Sequence, residues 1–177
     1  MGRISIFKEP ELLSEAHNVS DFDSGKPDLD IFLSQLAIAS QRDGFARTFV
    51  SVDAGSNIVG YYALCGGTIG RNDAPRRIGG HGAPKEIPVV LLARLAVDRK
   101  AQGQGLGTKL MHHAFKSSLI AAETVAFRAV MVHALDDEAA EFYSKFGFRP
   151  ARHAKDTLLI SIGDVAHIIE EAPRSGD

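Results

Sequence analysis

Cysteine is nearly absent from this sequence of 177 residues, which contains one, Cys65. A single cysteine excludes a disulfide within the chain and any zinc site built from several cysteine ligands. Cys65 lies in the apolar segment "IVGYYALCGG", where a buried thiol without a chemical role is the ordinary case. We therefore expect a protein of a reducing compartment that has no metal centre.

Long apolar runs are also missing. No stretch of about 18 apolar residues occurs, and Arg94 interrupts the most apolar segment, so the sequence predicts no transmembrane helix. The segment "MGRISIFKEPELL" becomes polar within about ten residues, which is unlike a secretory signal. We expect a cytoplasmic protein with no membrane partner.

Charge of one sign is not in excess, because 20 basic and 22 acidic residues give a net charge of −2. This balance excludes a protein that binds polyanions over its whole surface. Between residues 71 and 100, however, three acidic residues stand against Arg71, Arg76, Arg77, Lys85, Arg94, Arg99 and Lys100. A local basic surface is one interpretation, and an ordinary solvated surface is the other.

Apolar residues make up 45% and charged residues 24% of the chain, so we expect one folded domain over residues 1–177. Hydrophobic periodicity predicts helices over 28–41, from the glycine-rich segment to about 123, and over 137–147, with a short helix near the end. It predicts strands over 3–8, 45–53, 57–70, 88–98, 127–134 and 157–163. The helix between strands 88–98 and 127–134 makes that pair parallel. The remaining order predicts an α+β protein with a mixed, mostly antiparallel sheet flanked by helices.

The segment "DRKAQGQGLGTK" at 98–109 places three alternating glycines, Gly103, Gly105 and Gly107, directly after an apolar strand. The helical pattern begins inside this segment, so the glycines precede a helix N-terminus. Free backbone N–H groups and the positive end of the helix dipole favour an anion there, typically phosphate. A tight turn that binds nothing is the alternative.

Two better-known phosphate loops do not fit the segment. A P-loop requires a lysine after glycine, which Lys109 is not, and the dinucleotide pattern requires its third glycine one residue later than Gly107. The pattern Q/R-x-x-G-x-G/A does fit, at Gln102, Gly105 and Gly107.

This loop, the preceding "RLAVDR" and the later "A-x-x-F-Y-x-x-x-G-F" at 139–148 resemble the GNAT (GCN5-related) N-acetyltransferase family. The resemblance implies that strands 88–98 and 127–134 splay apart around acetyl-CoA. It also implies that the loop holds the pyrophosphate and that the preceding strand pairs with the pantetheine arm. The implied cofactor contacts are Leu95, Ala96, Val97, Gln102, Gly103, Gln104, Gly105, Leu106, Gly107, Thr108 and Phe142.

Acetyl transfer from a thioester needs an acid for the leaving thiolate, and a phenol with a pKa of about 10 is suited to that task. Tyr143 is the candidate among the aromatic residues of "EFYSKFGF", and the resemblance gives the matching tyrosine the same role. The alternative is that Tyr143 is only a core aromatic residue.

A general base is harder to find. The strand "IPVVLLARLAV" contains no carboxylate, with Glu86 before it and Asp98 after it. A lysine side chain with a pKa of about 10.4 would need a base, whereas an α-amine at about 7.7–8.0 is already partly neutral. An ester on the same carbon lowers that pKa further. The site therefore suits an α-amine, and especially that of an aminoacyl ester.

Four segments across residues 20–163 more narrowly resemble the GNAT toxins of type II toxin–antitoxin systems, the TacT-like group. Among them are "FDSGKPDLDIFLSQLA" and "VHALDDEAAEFYSKFGF". The resemblance implies acetylation of aminoacyl-tRNA, a block of translation and a small ribbon-helix-helix antitoxin, through which alone the toxin would reach DNA. A homodimer is compatible with it. The proposed tRNA phosphate contacts are Arg77, Lys85, Arg94 and Arg99.

Two alternatives stay open. One is a GNAT enzyme that acetylates a small amine or a protein N-terminus, which would need no basic surface. The other is a module without catalysis that binds coenzyme A or an antitoxin. Acetyl-CoA turnover with charged tRNA, uncharged tRNA and free amino acids separates the three.

Overall fold

The structure is a computed structural model, and it describes residues 7–173. Its strands are β1 (Glu11–Leu12), β2 (Arg47–Val52), β3 (Ile58–Gly70), β4 (Glu86–Val97), β5 (Ala129–His133), β6 (Arg149–Pro150) and β7 (Thr157–Ser161). Its α-helices are α1 (Pro27–Ile31), α2 (Ala37–Arg42), α3 (Leu106–Ala122), α4 (Asp137–Ser144) and α5 (Ile162–Glu171). The strands have the sheet order β1-β2-β3-β4-β5-β7-β6, with β4 and β5 parallel. The predicted α+β class with a mixed sheet is confirmed.

The chain forms two compact units. The first unit comprises Met1–Cys65 and Ala93–Ala114, and the second comprises Gly66–Leu92 and Phe115–Asp177. One domain over residues 1–177 therefore stays a prediction from the sequence.

In the first unit, β2 and β3 form the predicted antiparallel hairpin, with Arg47 opposite Leu64 and Val50 opposite Tyr61. The Asp53 carboxylate closes the turn by accepting hydrogen bonds from the backbone N–H of Gly55 and of Asn57. The helices pack their apolar side chains against this hairpin. The resulting core contains Leu13, Phe22, Leu29, Phe32, Leu33, Ala37, Val50, Val52, Ile58, Tyr61, Ala63 and Ala96.

The helix predicted over 28–41 exists, but a π-helical turn at Phe32–Leu36 separates α1 from α2. Sequence periodicity places Leu36 on the buried face, whereas its side chain is 53% exposed. A π-helical turn contains one residue more than an α-helical turn, and this rotates the following side chain away from the α-helical face. Leu36 therefore does not join the apolar face that an α-helical period over 28–41 predicts.

In the second unit, β5 pairs in parallel with β4, with Val89 opposite Ala129 and Leu92 opposite Val132. On its other side β5 is antiparallel to β7. The strand predicted at 157–163 ends earlier, at Ser161, because the Ser161 hydroxyl accepts a hydrogen bond from the backbone N–H of Asp164 and caps α5. The two-residue strand β6 was not predicted.

The strand predicted over 3–8 lies mostly outside the described residues, and neither Phe7 nor Lys8 is in a strand. Within residues 7–173, none of the helices combines the length and the apolar composition that a membrane crossing requires.

Candidate active site

The glycine-rich loop begins at Asp98, a buried carboxylate that fixes its first turn. One carboxylate oxygen accepts a hydrogen bond from the backbone N–H of Lys100 at 2.9 Å, and the other accepts from that of Asp23 at 3.0 Å. The backbone N–H of Asp98 itself donates to the carbonyl of Val59 at 2.8 Å. This anchor was not predicted from the sequence. A lone acidic residue between an apolar strand and a basic loop was the available signal.

Gly103 and Gly105 have φ angles of +76° and +80°, in the region where a side chain is strained. A Cβ atom built on either residue would meet nothing within 4 Å. These glycines are therefore required by the backbone conformation and not by crowding. They leave open space in front of α3, whose first N–H groups lack carbonyl partners within the helix. Such a cradle fits the pyrophosphate of coenzyme A.

The side chains of the loop mostly serve the loop itself. The Gln102 amide donates to the carbonyl of Ser24 at 3.1 Å and to that of Val97 at 3.0 Å. The Gln104 amide donates to the carbonyl of Lys100, and Leu106 is buried against Gly60. The cofactor contacts predicted at these positions therefore depend on their backbone atoms.

The other predicted cofactor residues differ in exposure. In β4, Ala96 is buried in the core of the first unit, while Leu95 and Val97 are half-buried. Thr108 is exposed in the first turn of α3, and Phe142 is half-buried in the second unit.

Tyr143 lies in α4, whose N-terminus is capped by the Asp136 carboxylate. Its ring is 8% exposed and packs edge-on against Phe142 at 5.4 Å and Phe148 at 5.6 Å between ring centroids. Burial raises the pKa of Tyr143 to about 12. In the described part of the chain, its hydroxyl makes no hydrogen bond. A phenol in this state remains protonated at neutral pH and can act only as an acid.

Three of the four predicted tRNA-contacting residues have partners within the protein. Arg77 forms an ion pair with Asp164, and Arg99 Nε lies 3.3 Å from a carboxylate oxygen of Asp23. The Arg94 guanidinium carbon lies 4.0 Å from the centroid of the Phe32 ring.

Lys85 is exposed and ends the loop 71–85, where its carbonyl accepts a hydrogen bond from the backbone N–H of Arg71. Arg94 and Arg99 lie in the first unit, and Arg77 and Lys85 in the second.

Two of the seven histidines, His81 and His133, have structural surroundings. His133 Nδ1 lies 3.1 Å from the Thr157 hydroxyl, across the β5–β7 pair. His81 lines a pocket of about 520 Å³ in the second unit, together with Phe127 and Arg128. Across residues 7–173, no three His, Cys, Asp or Glu side chains are grouped as metal ligands would be.

Comparison with known proteins gives three informative matches beyond a family match. Residues 45–150 match the family described as acetyltransferase (GNAT) domain. The chain is 43% identical, over 94% of its length and 99% of the relative, to a tRNA-acetylating toxin of Mycobacterium tuberculosis (strain ATCC 25618 / H37Rv).

Two solved structures are also similar. AtaT complexed with acetyl-methionyl-tRNAfMet has a TM-score of 0.83 and 28% identity, covering 92% of this chain and 98% of AtaT. A tyrosine-to-phenylalanine mutant of the AtaT toxin, bound to the C-terminus of the antitoxin AtaR and to acetyl-CoA, has a TM-score of 0.79 and 27% identity. That match covers 94% of this chain and 100% of the other.

Proposed function

This chain belongs to the GNAT acetyltransferase family, and we propose that it is a toxin that acetylates the α-amine of aminoacyl-tRNA and thereby blocks translation. The observation that carries the proposal is the 43% identity to a tRNA-acetylating toxin, because it extends over nearly the full length of both chains. As a member of this family, the chain uses acetyl-CoA as its acetyl donor.

We propose that the donor binds in the first unit. The pyrophosphate lies in the open space above Gly103 and Gly105, facing the N-terminus of α3. The pantetheine arm runs along Leu95–Val97 and pairs with the backbone of β4. Asp98 and Gln102 do not contact the phosphates with their side chains and instead hold the loop in shape.

The reaction requires one acid from the protein, which is Tyr143. The neutral α-amine attacks the thioester carbonyl, the new C–N bond forms, and the C–S bond breaks. Tyr143 gives its proton to the leaving thiolate and regains one, through solvent, from the acetylated nitrogen. Its raised pKa supports this role because the phenol enters every cycle protonated.

We propose that Arg77, Lys85, Arg94 and Arg99 contact the tRNA. Of these, Lys85 is exposed and makes no ion pair within the described residues, so its charge is fully available to a phosphate. Arg77 and Arg99 would exchange a surface carboxylate for a phosphate oxygen. Affinity that is unchanged between low and moderate salt would contradict these contacts.

The proposed partners follow from the same relatives. A ribbon-helix-helix antitoxin neutralises the toxin, and contact with DNA occurs only through that antitoxin. We also propose a cytoplasmic location, where aminoacyl-tRNA is found. Self-association into a homodimer stays a prediction, which the molar mass in solution tests.

The deciding experiment is acetyl-CoA turnover with charged tRNA, uncharged tRNA and free amino acids as acceptors. We expect turnover with charged tRNA alone, and growth arrest when the chain is expressed without an antitoxin. Turnover with free amines or peptides but not with charged tRNA would replace the proposal with a small-amine or N-terminal acetyltransferase. Binding of acetyl-CoA without turnover would indicate a module without catalysis.

A further inference from the structure

The guanidinium of Arg94 is held in the first unit by a stack of aromatic rings. It lies on the face of Phe32, 4.0 Å from the ring centroid, and Phe32 is stacked on Tyr61 with 6.2 Å between centroids. The Tyr61 hydroxyl donates a hydrogen bond of 2.6 Å to the carbonyl of Leu29, which fixes the base of the stack. Phe32 and Tyr61 are both buried. The position of the cation is therefore set by packing.

The charge of Arg94 is not neutralised by the groups that face it. No carboxylate in residues 7–173 pairs with Arg94. From β3, the neighbouring titratable groups are Tyr61 and Cys65, and burial raises the pKa of each, which keeps both uncharged at neutral pH.

Two carboxylates of the first unit, Asp30 and Asp98, have hydrogen-bond partners other than Arg94. From α1, Asp30 accepts hydrogen bonds from the backbone N–H and the hydroxyl of Ser24. At the end of β4, Asp98 accepts from two backbone N–H groups. Arg94 thus presents a full positive charge at a half-buried position.

Arg94 directly precedes Leu95–Val97, where the proposed function places the pantetheine arm. Its partner ring belongs to the π-helical turn Phe32–Leu36, a type of turn that is frequent at functional sites. Between Glu86 and Asp98, β4 carries no carboxylate that could serve as a general base. The proposed acetyl-transfer site therefore has a fixed cation where a base would be expected.

A positive charge near an amine disfavours its protonated form. We propose that Arg94, held on the Phe32 ring, keeps the α-amine of the bound aminoacyl ester neutral and so replaces a general base without accepting a proton. The amine loses its proton to solvent before it attacks the thioester. This inference rests on the proposed function. It also specifies the proposed contact between Arg94 and the tRNA, which is with the aminoacyl end of the tRNA. It also predicts that strongly basic amines such as lysine side chains are poor acceptors.

The test is the pH dependence of kcat at saturating charged tRNA and saturating acetyl-CoA, because the pH profile of kcat reports the pKa values of groups in the bound complex. For Arg94→Gln, we expect the acidic limb to move to higher pH by about one unit, with about a tenfold loss at acidic pH that disappears at alkaline pH. Arg94→Lys keeps the positive charge and should therefore restore most of the wild-type pH profile. Phe32→Leu keeps an apolar side chain in the core but removes the ring that holds Arg94. It should move the acidic limb to higher pH by less than Arg94→Gln does.

Arg42→Gln is the matched control, because it removes a guanidinium from the same unit at an exposed position beside Asp43. We expect its acidic limb to coincide with that of the wild type. A loss by the same factor at every pH in Arg94→Gln would overturn the inference and leave Arg94 as a phosphate contact or a packing residue. If Arg94→Gln does not fold, the Lys and Phe32→Leu variants decide by the same criterion.

Failure of this inference can be distinguished from failure of the proposed function. If the wild type acetylates charged tRNA and the variant limbs do not move, only the inference is wrong. If the wild type acetylates no charged tRNA at any pH, the proposed function is wrong and the inference is wrong with it.

Discussion

The glycine-rich loop of the first unit and the aromatic cluster of the second unit, which consists of Phe142, Tyr143 and Phe148, differ in the groups that they offer to a ligand. The loop offers backbone N–H groups and open space, and its two glutamine side chains, Gln102 and Gln104, donate hydrogen bonds to backbone carbonyls of the protein. The cluster offers one phenol oxygen on a ring that is almost completely buried. In the proposed function, the loop therefore acts through its backbone conformation and the cluster through a single atom. Substitutions should affect the two regions in different steps of the reaction.

Removal of that single atom gives the largest effect. Tyr143→Phe should lower kcat by roughly 10²- to 10⁴-fold, the usual contribution of a positioned acid. Acetyl-CoA affinity should stay close to that of the wild type because the ring is retained. The free energy of unfolding should change by about 1 kcal/mol or less, since the hydroxyl has no hydrogen-bond partner to lose within residues 7–173. Single-turnover kinetics, calorimetry and thermal melting measure the three quantities.

Tyr62→Phe is the matched control for this variant. The Tyr62 hydroxyl is hydrogen-bonded to His113 at 2.5 Å within a buried ring stack, so its loss should lower stability more than the loss of the Tyr143 hydroxyl. Its kcat should nevertheless stay near that of the wild type. A folded Tyr143→Phe variant that acetylates charged tRNA at the wild-type rate would remove Tyr143 as the acid.

Introduction of a side chain at Gly105 should instead weaken the binding of acetyl-CoA. Gly105→Glu forces a residue with a side chain to adopt a φ of +80° and places a carboxylate in the space proposed for the pyrophosphate. The backbone strain alone costs about 1–2 kcal/mol, and charge repulsion adds to it. We expect the Kd for acetyl-CoA, measured by calorimetry, to rise by at least about tenfold.

Gly44→Glu controls for the strain. Gly44 has a φ of +83° and equally open surroundings, but it lies in the turn after α2. It should show a similar fall in melting temperature with unchanged acetyl-CoA affinity. Equal affinities for the Gly105 and Gly44 variants would contradict the phosphate cradle.

The turn conformation of the loop and the parallel strand pair could both be predicted from the sequence. The glycine spacing predicted a tight turn before a helix N-terminus, because positive φ angles are a local property of glycine. Anion binding at this turn stays a prediction. The parallel β4–β5 pair was predicted because a helix that connects two neighbouring strands of one sheet crosses over and leaves them parallel.

Contacts between distant segments could not be predicted. The Asp98 anchor joins residues 75 positions apart, and the stack of Arg94 on Phe32 depends on how β4 and the π-helical turn meet. The exposure of Leu36 depends on one extra residue in a helical turn, which no period in the sequence reveals.

Substitution of Asp98, which anchors the loop, should have a smaller effect on both stability and acetyl-CoA affinity. Asp98→Asn replaces one acceptor oxygen by an amino group that faces the backbone N–H of Asp23 or of Lys100. We expect the free energy of unfolding to fall by about 1–3 kcal/mol, and the Kd for acetyl-CoA to rise a few-fold because the loop loses its fixed start. Asp53→Asn also replaces a carboxylate that accepts hydrogen bonds from backbone N–H groups, at the β2–β3 turn, and should leave the affinity unchanged. Weakened binding in both variants would mean that global stability, not the anchor, sets the affinity.

The smallest expected effect tests the claim that the loop acts through its backbone. Gln102→Ala removes the two hydrogen bonds that the side-chain amide donates to the carbonyls of Ser24 and Val97. Both carbonyls can be solvated by water in the variant because Gln102 is exposed, so the free energy of unfolding should fall by about 1 kcal/mol or less. The Kd for acetyl-CoA should rise by less than about fivefold, since 1 kcal/mol corresponds to that factor. If the Kd instead rises as much as in Gly105→Glu, the Gln102 side chain itself contacts the pyrophosphate, and the contrast between a backbone site and a side-chain site is wrong.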